Sequence, residues 1–226
     1  MPSPWVINRI KSNPDKLEKV LKRYLMQERA KYYLNGVVSV LRPDEVCIDC
    51  GANIGTISEI LAKTGAQVHS FEPDPVAFKE LKTRLGKAKN VTLHNAAVGA
   101  ENGELSLFRV DAFGDDPINK TVSSTLVATA GKSYVDAGIT VKVQSIVTFI
   151  RDLLKKHDKI AVLKMDIEGF EVEVLNALIG ADLMGNIQNT LVETHLRKRP
   201  EAREDFKRFR KLSSENPQWR LNLDWI

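Results

Sequence analysis

Two hydrophobic rhythms alternate along this chain. Short apolar runs have the length and β-branched content of strands. They are Val46-Cys47-Ile48, Gln67-Val68-His69-Ser70-Phe71, Val91-Thr92-Leu93-His94 and residues 141–146, 160–165 and 190–192. Between them apolar residues return every three or four positions, as helices require. Ile54, Ile57, Ile60 and Leu61 form one such set, Phe78, Leu81 and Leu85 another. Ile150, Leu153 and Leu154 follow, then Val172, Val174, Leu175, Leu178 and Ile179. Upstream, residues 14–34 read as an amphipathic helix with Leu17, Val20, Leu21, Tyr24 and Leu25 inward and Lys16, Lys19, Lys22 and Arg23 outward. Asn35-Gly36 is its expected end, and Arg42-Pro43-Asp44 turns the chain into the first strand. Residues 104–110 alternate enough to form a strand, 200–212 a charged helix and 219–226 a last strand. Strand alternating with helix predicts an α/β fold, a doubly wound and mostly parallel sheet. Residues 1–42 are then an N-terminal helical extension and 43–226 the main domain.

In such sheets the ligand lies at the carboxyl ends of the strands, so the chemistry there decides the reading. The first strand runs into Asp49-Cys50-Gly51-Ala52-Asn53-Ile54-Gly55. Strand, glycine turn and helix open a nucleotide-binding βαβ unit. Gly51 permits a sharp turn and a close ligand approach, and Gly55 permits tight packing where the helix begins. A helix N-terminus offers free N–H groups and partial positive charge, while Asp49 adds a negative one. A pyrophosphate wants no carboxylate beside it. A ligand with both an ammonium and a carboxylate, such as the methionine part of S-adenosylmethionine, uses both. Strand two ends in Glu72-Pro73-Asp74-Pro75. Asp74 suits a helix cap and Pro75 a first helical residue. Glu72 stands where a carboxylate accepts hydrogen bonds from ribose hydroxyls. Strand three leads to Asn95-Ala96-Ala97-Val98-Gly99, whose small residues and amide suit an adenine ring. Asp166 and Glu168 follow the next central strand, and Glu193 and His195 the one after.

Composition narrows this little. A chain of 226 residues with 43% apolar and 27% charged residues is ordinary for one soluble domain. No window reaches the length of a membrane span. Met1-Pro2-Ser3-Pro4-Trp5 lacks a signal peptide's apolar core, so a cytoplasmic chain is expected. The net charge of +4 permits an anionic partner without demanding one, and the basic first helix leaves room for weak surface association. Cys47 and Cys50 form a C-x-x-C, yet three residues of strand span about 10 Å, beyond the reach of a disulfide. They read as small buried hydrophobes. Residues 111–138 show no period and are rich in Gly, Asp, Ser and Thr. A segment this long is a cover, a binding loop or disorder, and here a cover shaping the acceptor pocket is expected.

Taken together, the strand-tip motifs resemble the FkbM-type family of S-adenosylmethionine-dependent methyltransferases, within the Rossmann-like class I methyltransferase fold. The resemblance rests on Asp49-x-Gly51-Ala52-Asn53-x-Gly55, Phe71-Glu72-Pro73, Asn95-Ala96-Ala97-Val98-Gly99 and Lys164-Met165-Asp166-Ile167-Glu168-Gly169-Phe170-Glu171. It runs from about Pro43 to His195. It implies S-adenosylmethionine as cofactor and methyl transfer to a hydroxyl, often of a sugar, glycolipid or secondary metabolite. Asp49, Gly51, Ala52, Asn53, Gly55, Glu72, Pro73, Asn95 and Ala96 are the expected cofactor residues. The fold usually ends in an antiparallel hairpin, and only one clear strand follows the last helix here.

Methyl transfer from a sulfonium is an in-line displacement, so catalysis is mainly positioning, with a base to take the hydroxyl proton. If their strands are neighbours, Asp166, Glu168, Glu193 and His195 converge beside the methyl. His195, with an unperturbed pKa of about 6.5, is the expected base, oriented by Glu193 or Glu168. Asp166 would hold the cofactor ammonium or the acceptor. A divalent metal on these carboxylates is a rival role, and the resemblance brings no metal with it. An NAD-dependent oxidoreductase is the main alternative function, but Asn53 stands where its fingerprint wants a second glycine. A non-catalytic binding protein could use the basic helix and Arg197-Lys198-Arg199. No nucleic-acid partner is expected, since the chain lacks an Asn/Asp-Pro-Pro-aromatic motif and a dense basic patch with aromatics.

Overall fold

The computed structural model describes residues 17–107, 138–196 and 199–225. Nine strands appear among them: β1 (Val46–Cys50), β2 (Gln67–Phe71), β3 (Val91–His94), β4 (Ala97–Gly99), β5 (Gly103–Leu107), β6 (Ile139–Ser145), β7 (Val162–Met165), β8 (Thr190–Glu193) and β9 (Leu221–Trp225). Six α-helices accompany them: α1 (Leu17–Val38), α2 (Thr56–Ala62), α3 (Pro75–Leu85), α4 (Ile146–Leu153), α5 (Glu171–Gly180) and α6 (Arg203–Glu215). The main sheet has the order β3-β2-β1-β7-β8-β9, and every neighbouring pair is parallel. The final strand therefore lies parallel to β8, with a register shift between Leu191 and Glu193, and not in an antiparallel hairpin.

Period-two alternation sorts each strand between two cores. Val46, Ile48 and Cys50 of β1 face a core shared with α4, α5 and α6, whose buried side chains include Ile150, Leu175 and Phe209. Cys47 faces the opposite core, with Leu61 of α2 and Ala30, Leu34 and Val37 of α1. Both cysteines are buried and unpaired. Burial pushes the Cys47 thiol up to about 12, and raises Cys50 as well, which fits a packing role. Asp74 caps α3 through the Val76 N–H and Pro75 opens it, as its sequence predicts.

Three expectations need correction. First, α1 does not stop at Asn35-Gly36 but runs on to Val38. Its inward face is Ala30, Leu34 and Val37, while Leu21 and Leu25 are exposed. A helix of 22 residues is about 33 Å long, and only its last turns reach the sheet. Second, residues 95–99 are not simply the tip of β3. The chain leaves the main sheet there, and Ala97–Gly99 is a strand of a second, three-stranded sheet ordered β4-β6-β5. Third, β5 and β6 pair with each other antiparallel in that small sheet, around Ala97, Leu107, Val141 and Val143, and do not extend the parallel one. Apart from Gly138, the expected cover over residues 111–138 lies outside the described residues. Among the described residues no helix is long and apolar enough to cross a membrane.

Glycine requirements differ sharply along this frame. At Gly51, φ is +73° and an added Cβ would stand 1.8 Å from the Asp166 carbonyl oxygen. At Gly36 an added Cβ would meet nothing within 4 Å. Chemical denaturation should therefore show Gly51→Ala destabilised by about 3 kcal/mol or more, since the obstacle is backbone, at the residue that follows β7. Gly36→Ala, at a helical site, should gain up to about 1 kcal/mol.

Candidate active site

The glycine loop is laced to the tip of β2. The N–H groups of Gly51 and Ala52 both donate to the Phe71 carbonyl, at 3.0 and 2.9 Å. Asn53, in the left-handed region at φ +50°, donates its N–H to Glu72 Oε2 at 2.8 Å. Glu72 Oε1 accepts the Asp74 N–H at 2.8 Å. Asn95 closes the arrangement by donating Nδ2 to the carbonyls of Glu72, at 2.9 Å, and Pro73, at 3.3 Å. Glu72, Pro73, Asn53 and Asn95 thus form one cradle. Burial pushes the Glu72 carboxyl up to about 7, even against its two backbone donors. The Ala52 side chain is turned away, buried beside Leu81 and Leu85. Ala96 is half-buried against the α4–α5–α6 core. Gly55 is where α2 begins, at φ +89°, and its missing side chain admits Leu81 of α3.

Asp49 does something other than meet a ligand directly. It is fully buried, directly between Ser70 of β2 and Lys164 of β7 in the sheet register. Its Oδ2 accepts the Ser58 hydroxyl at 2.7 Å, and Ser70 donates to Ser58 at 2.8 Å. Its Oδ1 meets the Lys164 ammonium at 3.1 Å. That ammonium also donates to the Gly51 carbonyl at 2.7 Å and lies 3.9 Å from Asp166 Oδ2. Burial alone would lower the Lys164 pKa, but Asp49 and Asp166 outweigh it and raise it, so the ammonium keeps its charge. Gly51 likewise makes room for the Asp166 backbone and not for a ligand.

β7 and β8 are neighbours, and their tips converge as the sequence requires. His195 Nε2 lies 3.3 Å from Glu168 Oε2, 3.6 Å from Asp166 Oδ1 and 3.9 Å from Glu193 Oε1. The imidazole is oriented by Glu171, not by Glu168 or Glu193: His195 Nδ1 is 2.8 Å from Glu171 Oε1. The buried Glu171 carboxylate also accepts the N–H groups of Ile167 and Gly169, at 3.0 Å each. Those two bonds hold the turn Asp166–Gly169, in which Glu168 and Gly169 both have positive φ, +58° and +116°. A glutamate held there is strained at a cost of order 1 kcal/mol, and the strain aims its carboxylate back at His195. Arg199 braces the same turn through the Gly169 carbonyl and Glu173.

Charges set the proton affinities here. Burial raises the Glu193 carboxyl to about 7, and Asp166 reinforces this. Burial would lower His195, but the Glu171 hydrogen bond and the charges of Glu171, Asp166 and Glu193 reverse the sign. Glu193 therefore exchanges a proton near neutrality, while His195 beside it is biased toward its charged form. Asp166, Glu168 and His195 each bring one ligand atom within 4.8 Å of the others, the spacing of a metal-binding set.

Sequence reasoning missed Lys164, Glu171 and Ser58 as site residues. A lone lysine in the apolar run 160–165 is a legible signal, because it must face a buried partner. Glu171 is visible only as an acid at a helix start, and nothing in its spacing ties it to His195.

A parallel sheet with a glycine loop after its first strand, an acid after its second and acids after its central strands is the class I methyltransferase fold. The profile of the FkbM methyltransferase domain matches residues 49–217, well over half the chain. The chain belongs to that family. It is 25% identical over 186 residues to the hexuronic acid methyltransferase AglP of Haloferax volcanii, covering 81% of this chain and 70% of that one. It is 28% identical over 175 residues to the 31-O-demethyl-FK506 methyltransferase FkbM of Streptomyces tacrolimicus, covering 69% and 67%. A solved methyltransferase FkbM from Methylobacillus flagellatus KT is 22% identical, with a TM-score of 0.37 over 63% of this chain and 32% of that one.

The Lys164–Asp49 pair gives a direct test. Removing one partner of a buried ion pair costs about 3–5 kcal/mol. Lys164→Met should lose about that much in urea unfolding, and Lys164→Arg should lose less.

Proposed function

We propose that this chain transfers a methyl group from S-adenosylmethionine to a hydroxyl of a sugar or a related small molecule. The observation that carries the reading is the convergence of Asp166, Glu168, Glu193 and His195 near the glycine loop, at the ends of the next two strands, β7 and β8. A cofactor lying along the tips of β1, β2 and β3 would place its methionine part at residues 51–55 and its ribose at Glu72. Asn95-Ala96 would flank the adenine. Asp49 contributes at one remove, by holding Lys164 against the Gly51 carbonyl. The sulfonium would face the acidic cluster, which favours a cation.

The cluster supplies what an oxygen nucleophile needs. The displacement forms an O–CH3 bond and breaks the S–CH3 bond, and the hydroxyl proton must leave. Glu193 accepts it, its carboxyl raised to about 7 by burial. Asp166 and Glu168 position the acceptor's hydroxyls. The two relatives are named for a hexuronic acid and for a 31-O-demethyl compound, acceptors that fit an oxygen as the methylated atom. An NAD-dependent reaction is disfavoured by the site itself. Asn53 occupies the second glycine position and its N–H is spent on Glu72.

Calorimetry with S-adenosylhomocysteine, NAD and a short RNA tests the cofactor. Only the first should bind. Hydrogen bonds to a charged group contribute roughly 1.5–3 kcal/mol each, so Glu72→Ala should weaken that binding on the order of a hundredfold. The sign of the pH dependence follows from the raised Glu72 carboxyl. Ribose hydroxyls donate to the ionised form, so binding releases a proton below a pH of about 7. Affinity should rise on the order of tenfold from pH 6 to pH 8 in the wild type and stay flat in Glu72→Ala. Unchanged affinity in that variant would remove the ribose assignment. A screen over hexuronic acids and other hydroxylated sugars then tests the acceptor.

A further inference from the structure

We propose that Asp166, Glu168 and His195 form a binding site for one divalent cation of the Mn2+ type. The first argument is separation. An ion held at about 2.1 Å by each ligand keeps neighbouring ligand atoms about 3.0–3.5 Å apart, from octahedral to tetrahedral arrangement. His195 Nε2 stands 3.3 Å from Glu168 Oε2 and 3.6 Å from Asp166 Oδ1, and all three ligand atoms lie within 4.8 Å of one another.

The second argument comes from the imidazole itself and is independent of the carboxylates. The His195 side chain is only 9% exposed, and its Nδ1 is fixed on Glu171, which is 1% exposed. An acceptor carboxylate on Nδ1 makes that nitrogen the N–H donor and leaves Nε2 as the lone pair. The arrangement of carboxylate, imidazole and ion recurs wherever histidine binds metal, because the outer carboxylate fixes the tautomer and raises the ring's basicity. Here the lone pair points into carboxylate oxygens, which repels unless a positive charge lies between them. Three carboxylate oxygens lie 3.3–3.9 Å from Nε2, and a cation between them and the nitrogen draws on all of these groups.

Donor type narrows the ion. Two carboxylates and one imidazole suit Mn2+ better than Mg2+, which prefers oxygen alone, and better than soft ions that prefer thiolate. Three protein ligands leave positions open for oxygens of water or acceptor. Glu193, 3.9 Å from Nε2, stays outside the set and free to take the acceptor's proton. The role in catalysis rests on the methyl-transfer reading, whereas binding of the ion does not.

The test therefore uses the metal alone. The full chain, stripped with chelator and without cofactor or acceptor, is titrated with Mn2+ and followed by electron paramagnetic resonance. One Mn2+ per chain should bind, and electron spin echo modulation should show a directly coordinated imidazole nitrogen. Asp166→Asn and His195→Gln should each weaken binding at least tenfold, with folding checked by circular dichroism. Glu171→Gln should weaken it by about ten- to a hundredfold through the ring. Absence of Mn2+ binding, or bound Mn2+ without a coordinated nitrogen, overturns the proposal even if no variant folds. Unchanged affinity in folded Asp166→Asn does the same. None of these outcomes touches S-adenosylhomocysteine binding, so the two readings fail separately.

Discussion

A single buried ammonium ties the two halves of this site together. Lys164 lies in the middle of the sheet, where taking a charge out of water costs several kcal/mol. It is tolerated because four oxygens surround it, from Asp49, Cys50, Gly51 and Asp166. The same contacts fix where the glycine loop sits relative to the acidic cluster. Asp49 in turn is held by Ser58 at the start of α2, and Ser58 by Ser70 of β2. One polar row across β2, β1 and β7 therefore sets the position of the loop, of the first helix after it and of Asp166. Gly51 completes the arrangement by letting the Asp166 backbone come close enough for these distances to hold.

Beyond that row the site is an accumulation of negative charge held by backbone donors. Glu72 is fastened by the N–H groups of Asn53 and Asp74, and Glu171 by those of Ile167 and Gly169. Each carboxylate closes a turn at a strand tip, and Glu171 also fixes the His195 ring. Raised proton affinities at Glu72 and Glu193 are the consequence of burying acids near other acids. A bound cation would relieve that crowding.

The small second sheet has a quieter role. β4 follows Asn95 and Ala96 directly and pairs with β6, so the chain after β3 is anchored on both sides of the expected adenine position. Ser145 reinforces this by donating its hydroxyl to the Ala100 carbonyl and its N–H to Asn102.

Much of this architecture is legible in the sequence because local chemistry dictates it. Apolar runs of strand length, the caps at Asp74 and Pro75 and the acids at strand ends follow from short-range rules, and β2 and α3 lie where those rules put them. The candidate residues Glu72, Asp166, Glu168, Glu193 and His195 could be named because charge at the carboxyl end of a parallel strand has few structural uses. What required the tertiary structure was every partnership across the sheet. Asp49 reads as a ligand-facing carboxylate until its register opposite Lys164 shows it fully buried. Glu171 reads as a helix-start acid until the fold brings it onto His195, 24 residues away. The buried face of α1 was misjudged because periodicity gives a helix's stripe but not which of its turns reach the sheet. Residues 97–107 were misplaced for the same reason: a strand's pattern is local, while the choice of sheet depends on which edges are free. Hydrophobic pattern fixes what each segment becomes, and only packing decides whom it meets.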